Sequence, residues 1–86
     1  MSPDPKRAFI SRHAHARCVE MRVQRDEVVE TLVNPWATYP SSAHYGAGRR
    51  ISVGGRLAVV HTDDWVVVTV LWNGQNARAA VPAHAA

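Results

Sequence analysis

The fold is decided by residues 50–72, Arg50-Ile51-Ser52-Val53-Gly54-Gly55-Arg56-Leu57-Ala58-Val59-Val60-His61-Thr62-Asp63-Asp64-Trp65-Val66-Val67-Val68-Thr69-Val70-Leu71-Trp72. β-branched residues dominate, and two turn signals divide the run. Gly54-Gly55 suits a hairpin turn, and Asp63-Asp64 suits a second one. The reading is three strands, about 50–53, 56–62 and 65–72, joined as an antiparallel meander. Leu57 and Val59 alternate with Ala58 and Val60, so His61 falls on the face of Leu57 and Val59. The Val-rich run from Trp65 to Trp72 reads as the strand at the sheet centre.

Working back from this run, Ser41 to Gly48 is a polar loop carrying His44 and Tyr45. Trp36 to Pro40 reads as a short strand that Pro40 confines to an edge. Before it the period changes to that of a helix. Val28, Val29, Leu32 and Val33 give a buried face over about 25–34, with Glu27 and Glu30 turned to water. Asp26 and Glu27 suit the first turn, and Pro35 stops the helix. Gln24 stands where a capping residue would open it. An earlier helix spans about 11–22, with Ser11 as its N-cap and Ile10 as the apolar residue before the cap. At 100° per residue Ala14, Cys18 and Met21 form its buried stripe. His13 and Arg17 share one shoulder of that stripe, while His15, Val19 and Arg22 lie on the far side.

The expected fold is therefore α+β, in the order ααββββ, with two N-terminal helices packed on a four-stranded antiparallel sheet. Residues 1–8 read as a flexible leader, 9–73 as one domain and 74–86 as a disordered Ala-rich tail.

Composition narrows the function classes. The chain has 86 residues and a formal net charge of +3, and nine of its ten basic residues are arginine. Six of the ten, Lys6, Arg7, Arg12, Arg17, Arg22 and Arg25, fall before residue 26, against Asp4 and Glu20. This asymmetry points to an anionic partner, nucleic acid or an acidic protein, and guanidinium groups suit phosphate. It is also compatible with a merely solvated basic face. Cys18 is the single cysteine, which excludes an internal disulfide and a cysteine zinc site and suits a small core residue. No apolar run is long enough to span a membrane, and the N-terminus lacks the apolar stretch of a signal peptide, so the expectation is a cytoplasmic protein without membrane contact.

Imidazole and guanidinium four residues apart on a helix are the equipment of a phosphate-handling site. Metal-free RNA cleavage needs a base for the 2′-hydroxyl, an acid for the leaving 5′-oxygen and cations for the charge on phosphorus. His13 suits proton transfer, and Arg17 suits the phosphate. Arg49 or Arg50 would clamp the phosphate from the sheet. Tyr45 and His44 would donate a proton or stack on a base. Arg12 and His61 complete the candidate RNA-binding set. Each has a structural alternative: a first-turn histidine bonded to the helix, an Arg17–Glu20 or Arg17–Asp26 ion pair, edge-protecting arginines, and a packed His61. Trp36, Trp65 and Trp72 read as core or sheet-face residues.

The pieces Phe9-Ile10-Ser11-Arg12-His13-Ala14-x-x-Arg17, Glu30-Thr31-Leu32-Val33-Asn34-Pro35, Tyr39-Pro40-Ser41, Gly48-Arg49-Arg50, Gly55 to Val60 and Val67 to Trp72 occur in an order that resembles a family of small bacterial and phage domains. That family is placed beside the RelE- and BrnT-like toxins in the barnase/RelE-like ribonuclease group. The resemblance covers about residues 9–73. It implies the two-helix, four-stranded domain and a metal-independent ribonuclease, of the mRNA interferase kind, restrained by an antitoxin protein. Carried over residue by residue, it marks His13, Arg17, Arg50 and Thr69.

No metal or cofactor is expected. His13 and His15 point roughly opposite ways on a helix, and the remaining histidines lack a fourth ligand. No Walker pattern or dinucleotide fingerprint is present. Expected partners are RNA, on or off the ribosome, and an antitoxin. The tryptophans and the last strand leave room for a homodimer face. The competing reading is a non-enzymatic module of a bacterium or phage that binds nucleic acid or protein on the same fold.

Overall fold

The computed structural model describes residues 4–41 and 48–74. His44, Tyr45, the first three residues of the leader and residues 75–86 of the tail lie outside the described residues. A 3-10 turn over Pro5–Arg7, capped by the Asp4 carboxylate, leads into a two-residue strand β1, Phe9–Ile10. Two helices follow, α1 Arg12–Met21 and α2 Arg25–Val33. Then come β2 Ala37–Pro40, β3 Arg50–Gly54, β4 Leu57–His61 and β5 Val66–Trp72.

Both helices form where their local signals put them. The Ser11 hydroxyl accepts a hydrogen bond from the Ala14 amide at 3.2 Å, which satisfies one of the first-turn donors. Ala14, Cys18 and Met21 are the buried residues of α1. The helix ends at Arg22 in the left-handed region, φ 59°, with its N–H turned back to the carbonyls of Cys18 and Val19. Gln24 opens α2 without a side-chain cap. Val28, Thr31 and Leu32 are buried there, while Val29 and Val33 are half-buried, so the apolar stripe is narrower than the sequence suggested. Thr31 is accommodated because its hydroxyl donates to the Glu27 carbonyl one turn earlier, at 2.9 Å.

The α+β class holds, and the detail of the sheet does not. Among the described residues the sheet has five strands in the order β1-β5-β4-β3-β2 and is mixed. β3, β4 and β5 form the expected antiparallel meander, and β2 is the expected edge. The addition is β1, which precedes the helices and pairs parallel with β5 through Phe9↔Val66 and Ile10↔Val67. The helices therefore sit between strands and not at the N-terminus. Two residues are too few to show a period, and the role of an apolar residue before a cap accounted for Ile10. The centre of the sheet is also displaced. It is β4, buried at all five positions, whereas β5 has only β1 outside it.

The helices cover one face. Ala14, Cys18, Met21, Val28 and Leu32 pack there with Leu57, Val59, Val67 and Val70. Each large aliphatic side chain fully buried there contributes about 1.5–3 kcal/mol. The other face carries Ile51, Val53, Ala58 and Val60, with Tyr39, Val68 and Leu71 beside them. Val67 and Val70 share a face although three residues apart, which strict alternation forbids. A register shift against Val60/His61 accounts for it: Val60 faces Thr69, but His61 faces Val67. The irregularity falls beside Thr69.

Candidate functional site

α1 packs against β5, and the residues of its Thr69-side shoulder meet that strand along an edge β1 is too short to cover. Three contacts stitch the seam. The Ser11 hydroxyl donates to the Val68 carbonyl at 3.3 Å. His13 Nε2 lies 3.1 Å from Thr69 Oγ1. Arg17 Nε donates to the Val70 carbonyl at 3.3 Å, and its Nη1 to Glu20 at 3.0 Å. The capped carbonyls would otherwise be open on a sheet edge, so part of what these side chains do is structural.

Three of the sequence-marked residues thus come together. His13 is exposed, Thr69 is 6% exposed beneath it, and Arg17 is half-buried one turn along. Among the described residues, His13 Nδ1 and Arg17 Nη2 have no partner. Arg12 is exposed at the first position of the same helix. Glu20 adds a carboxylate, 65% exposed, to the row His13, Arg17, Glu20. These three are spaced four and three residues apart, so they share one helix flank.

The other candidates stand elsewhere. Arg50 is on β3, two strands from Thr69, and its Nε donates to Asp63 at 2.7 Å. Arg49 is half-buried just before it. His61 is turned inward and is 1% exposed. Its Nδ1 lies 2.8 Å from the Thr62 carbonyl, which can only accept, so Nδ1 carries the proton. Nε2 is then an acceptor, and the Ser52 hydroxyl donates to it at 2.7 Å. Thr38 in turn donates to Ser52 at 3.2 Å. Trp65 stacks on the imidazole with ring centroids 4.9 Å apart. Burial lowers the His61 pKa below the ordinary imidazole value, so this histidine is neutral and part of the packing. Its ring reaches no outside ligand in this arrangement.

Ser52 and Glu20 are the residues that sequence reasoning missed, Glu20 having entered there only as an ion-pair partner of Arg17. For Ser52 the expected Gly54-Gly55 turn points to the wrong partner, Leu57; the turn falls instead on Gly55-Arg56, Gly54 pairs with Leu57, and Ser52 comes opposite Val59, diagonal to His61. Trp36 departs from the core reading, being 73% exposed, whereas Trp65 and Trp72 pack against the helix-side core. Cys18 is a buried free thiol, its pKa raised by burial, as befits a core residue.

Among the described residues no three His, Cys, Asp or Glu side chains gather as a metal site would need, and no helix is long and apolar enough to cross a membrane. No protein-family profile, curated protein or solved structure matches this chain.

Proposed function

We propose that this chain is a metal-independent ribonuclease of the toxin type whose site is the α1–β5 seam. The observation that carries the reading is the exposed His13, held by Thr69 on one side and flanked by Arg17 one turn along the same helix. A general acid needs a fixed ring with one nitrogen left to exchange a proton, and Nδ1 of His13 meets that need. Arg17 binds the phosphate and offsets the charge that grows on its oxygens. Glu20 is the second proton-transfer group. It takes the 2′-hydroxyl proton as that oxygen attacks phosphorus, and His13 gives its proton to the departing 5′-oxygen. The products are a 2′,3′-cyclic phosphate and a free 5′-hydroxyl.

A second reading has one observation in its favour. Arg17 is already engaged by Glu20 and by the Val70 carbonyl, which suits a module that binds RNA without cutting it.

The test is incubation of the purified protein with end-labelled single-stranded RNA in excess chelator, beside His13→Ala. Cleavage that leaves cyclic phosphate ends, and that His13→Ala abolishes, is the expected result. Intact RNA, bound with a steep salt dependence, would replace the enzyme reading with the binding one.

A further inference from the structure

The opposite flank of α1 carries a feature the ribonuclease reading does not use. Between β1 and α1 lies a groove of about 450 Å³. Ala8, Ile10 and Cys18 are among the residues that line it, and His15 and Arg25 are its basic ones. Among the described residues no carboxylate lines it. Phe9 stands at its rim with 64% of its surface exposed. One turn beyond His15 on the same helix flank, Val19 is 65% exposed. With Trp36, these are the exposed large apolar side chains among the described residues. Arg12 and Arg22, both exposed, bracket Val19 along the helix.

Beside the groove Arg25 Nη2 already donates to the Ala8 carbonyl at 3.0 Å, and the backbone is open further along, at Ile10. The Phe9 amide donates to the Trp65 carbonyl at 3.0 Å and the Ser11 amide to the Val67 carbonyl at 3.1 Å. In a parallel pair alternate residues face the partner strand, so the N–H and C=O of Ile10 face the outer edge of the sheet. β1 is the last strand on that side.

We propose that this groove is a docking site for an extended acidic segment of another protein. The segment pairs with Ile10 along the β1 edge and sets an apolar side chain over Cys18 between Phe9 and His15. The sign of the partner follows from the lining: His15 and Arg25 at the groove, with Arg12 and Arg22 beyond, favour carboxylates and disfavour a basic segment. Its class follows from the groove floor, which is aliphatic. A nucleic acid brings phosphate but no aliphatic side chain to fill it, whereas a strand added to a sheet edge brings backbone pairing and alternate side chains together. Such docking leaves the His13 shoulder open, so it stands or falls independently of the ribonuclease reading.

The probe is a fluorescein-labelled synthetic heptapeptide of alternating glutamate and leucine, beside its lysine–leucine counterpart. Anisotropy titrations of the full chain are paired with amide chemical-shift mapping. The acidic peptide is expected to bind, to move the amides of Ile10, His15 and Val19, and to weaken at least about tenfold in Val19→Glu and Phe9→Glu, as loss of an interface anchor does. Both variants change exposed positions, and retention of the wild-type amide spectrum elsewhere checks that they fold. The proposal is overturned by no binding, by equal binding of the lysine peptide, by shifts confined to another face, or by the same amides moving on dilution of the protein alone. The last would make the groove a contact between copies of this chain. Displacement of the acidic peptide by oligouridylate from the same amides would assign the groove to RNA and overturn it as well.

Discussion

His13 on α1 and Thr69 on β5 are 56 residues apart in the chain and meet at 3.1 Å between Nε2 and Oγ1. The contact falls where the β4–β5 register shifts: Thr69, opposite Val60, is the last β5 residue in the regular register before Val68 is skipped. A hydroxyl brought to that point holds an exposed imidazole from below. If His13 transfers a proton, Thr69 is its positioning residue. Thr69→Val keeps the shape and removes the hydroxyl. Cleavage by Thr69→Val is expected to fall about tenfold through looser placement of the ring, against roughly a hundred- to ten-thousand-fold for His13→Ala. Thr69→Ser, which keeps the oxygen, should restore most of the loss. Single-turnover rates on one RNA substrate decide it, and equal loss in the valine and serine variants would remove Thr69 from the role.

Arg17 tests a different part of the site. Its guanidinium bonds a carbonyl and a carboxylate at once, a planar geometry an ammonium cannot copy. Arg17→Lys keeps the charge, so RNA affinity at low salt should drop only modestly, while the cleavage rate should fall as far as in Arg17→Ala. The exposed pair with Glu20 adds little to stability, but Arg17→Ala also uncaps the Val70 carbonyl, so it should lose about 0.5–1.5 kcal/mol. A lysine variant with wild-type cleavage would mean that charge alone suffices there.

How much of this was legible follows from particular residues. Ser11 as cap and the Ala14, Cys18, Met21 stripe were readable because a helix is a local object with a fixed period. The meander was readable because a glycine pair and Asp63-Asp64 punctuate it, although the first turn falls one residue late, on Gly55-Arg56, with Gly54 still paired to Leu57. β1 was not, since Phe9 and Ile10 become a strand only by pairing with Val66 and Val67 across the fold. The central position of β4 was hidden for the same reason: strand order is set by packing, and the Val-rich run in β5 only mimics a central strand. At the site, the shared shoulder of His13 and Arg17 followed from helix geometry. Thr69 reaches His13 beside a register shift that no local pattern announces. Arg50 and His61 were marked by residue type alone, and the sheet sends one to Asp63 and the other inward.

The inward histidine makes the fold sensitive to acid. Burial lowers the pKa of His61 in the folded chain, while the unfolded chain titrates near the ordinary imidazole value. Between those two values the unfolded state holds more protons, so stability rises with pH there. The stabilisation is present in full above the unfolded value of about 6.5 and is lost as pH falls below it. Chemical denaturation at pH 7.5, 6.5 and 5.5, buffers chosen here to bracket that value, should show the midpoint dropping at the acid end. The drop should shrink in His61→Gln, and an unchanged slope in that variant would place the acid sensitivity elsewhere.

Ser52 and His61 should also prove coupled. Ser52→Ala leaves the imidazole Nε2 buried without a donor, a loss of about 1–3 kcal/mol. His61→Leu alone leaves the Ser52 hydroxyl short of its acceptor. The double variant removes both halves of the buried pair, so its cost should be smaller than the sum of the singles. A thermodynamic cycle from urea denaturation measures the difference, and strict additivity would mean that the 2.7 Å contact contributes nothing of its own.

The two glycines at the β3–β4 turn should behave differently on substitution by alanine. Gly55 has φ +55°, a left-handed conformation in which a Cβ costs roughly 1–2 kcal/mol, although nothing lies within 4 Å of where that atom would stand. Its strain is therefore purely of the backbone, and neighbours cannot relieve it. At Gly54 a Cβ would meet Pro35 Cα and the Trp36 nitrogen at 3.7 Å, which is ordinary contact. The substitution there also stiffens the unfolded chain, which favours the folded state by about 0.4–1 kcal/mol where the backbone tolerates it. Gly55→Ala should lower the denaturation midpoint, and Gly54→Ala should leave it unchanged or raise it. Gly55→Asn should recover part of the loss, since asparagine tolerates the left-handed region better than alanine. If Gly54→Ala proved the more damaging of the two, the chain segment at Pro35–Trp36 would have to press on the turn more closely than 3.7 Å.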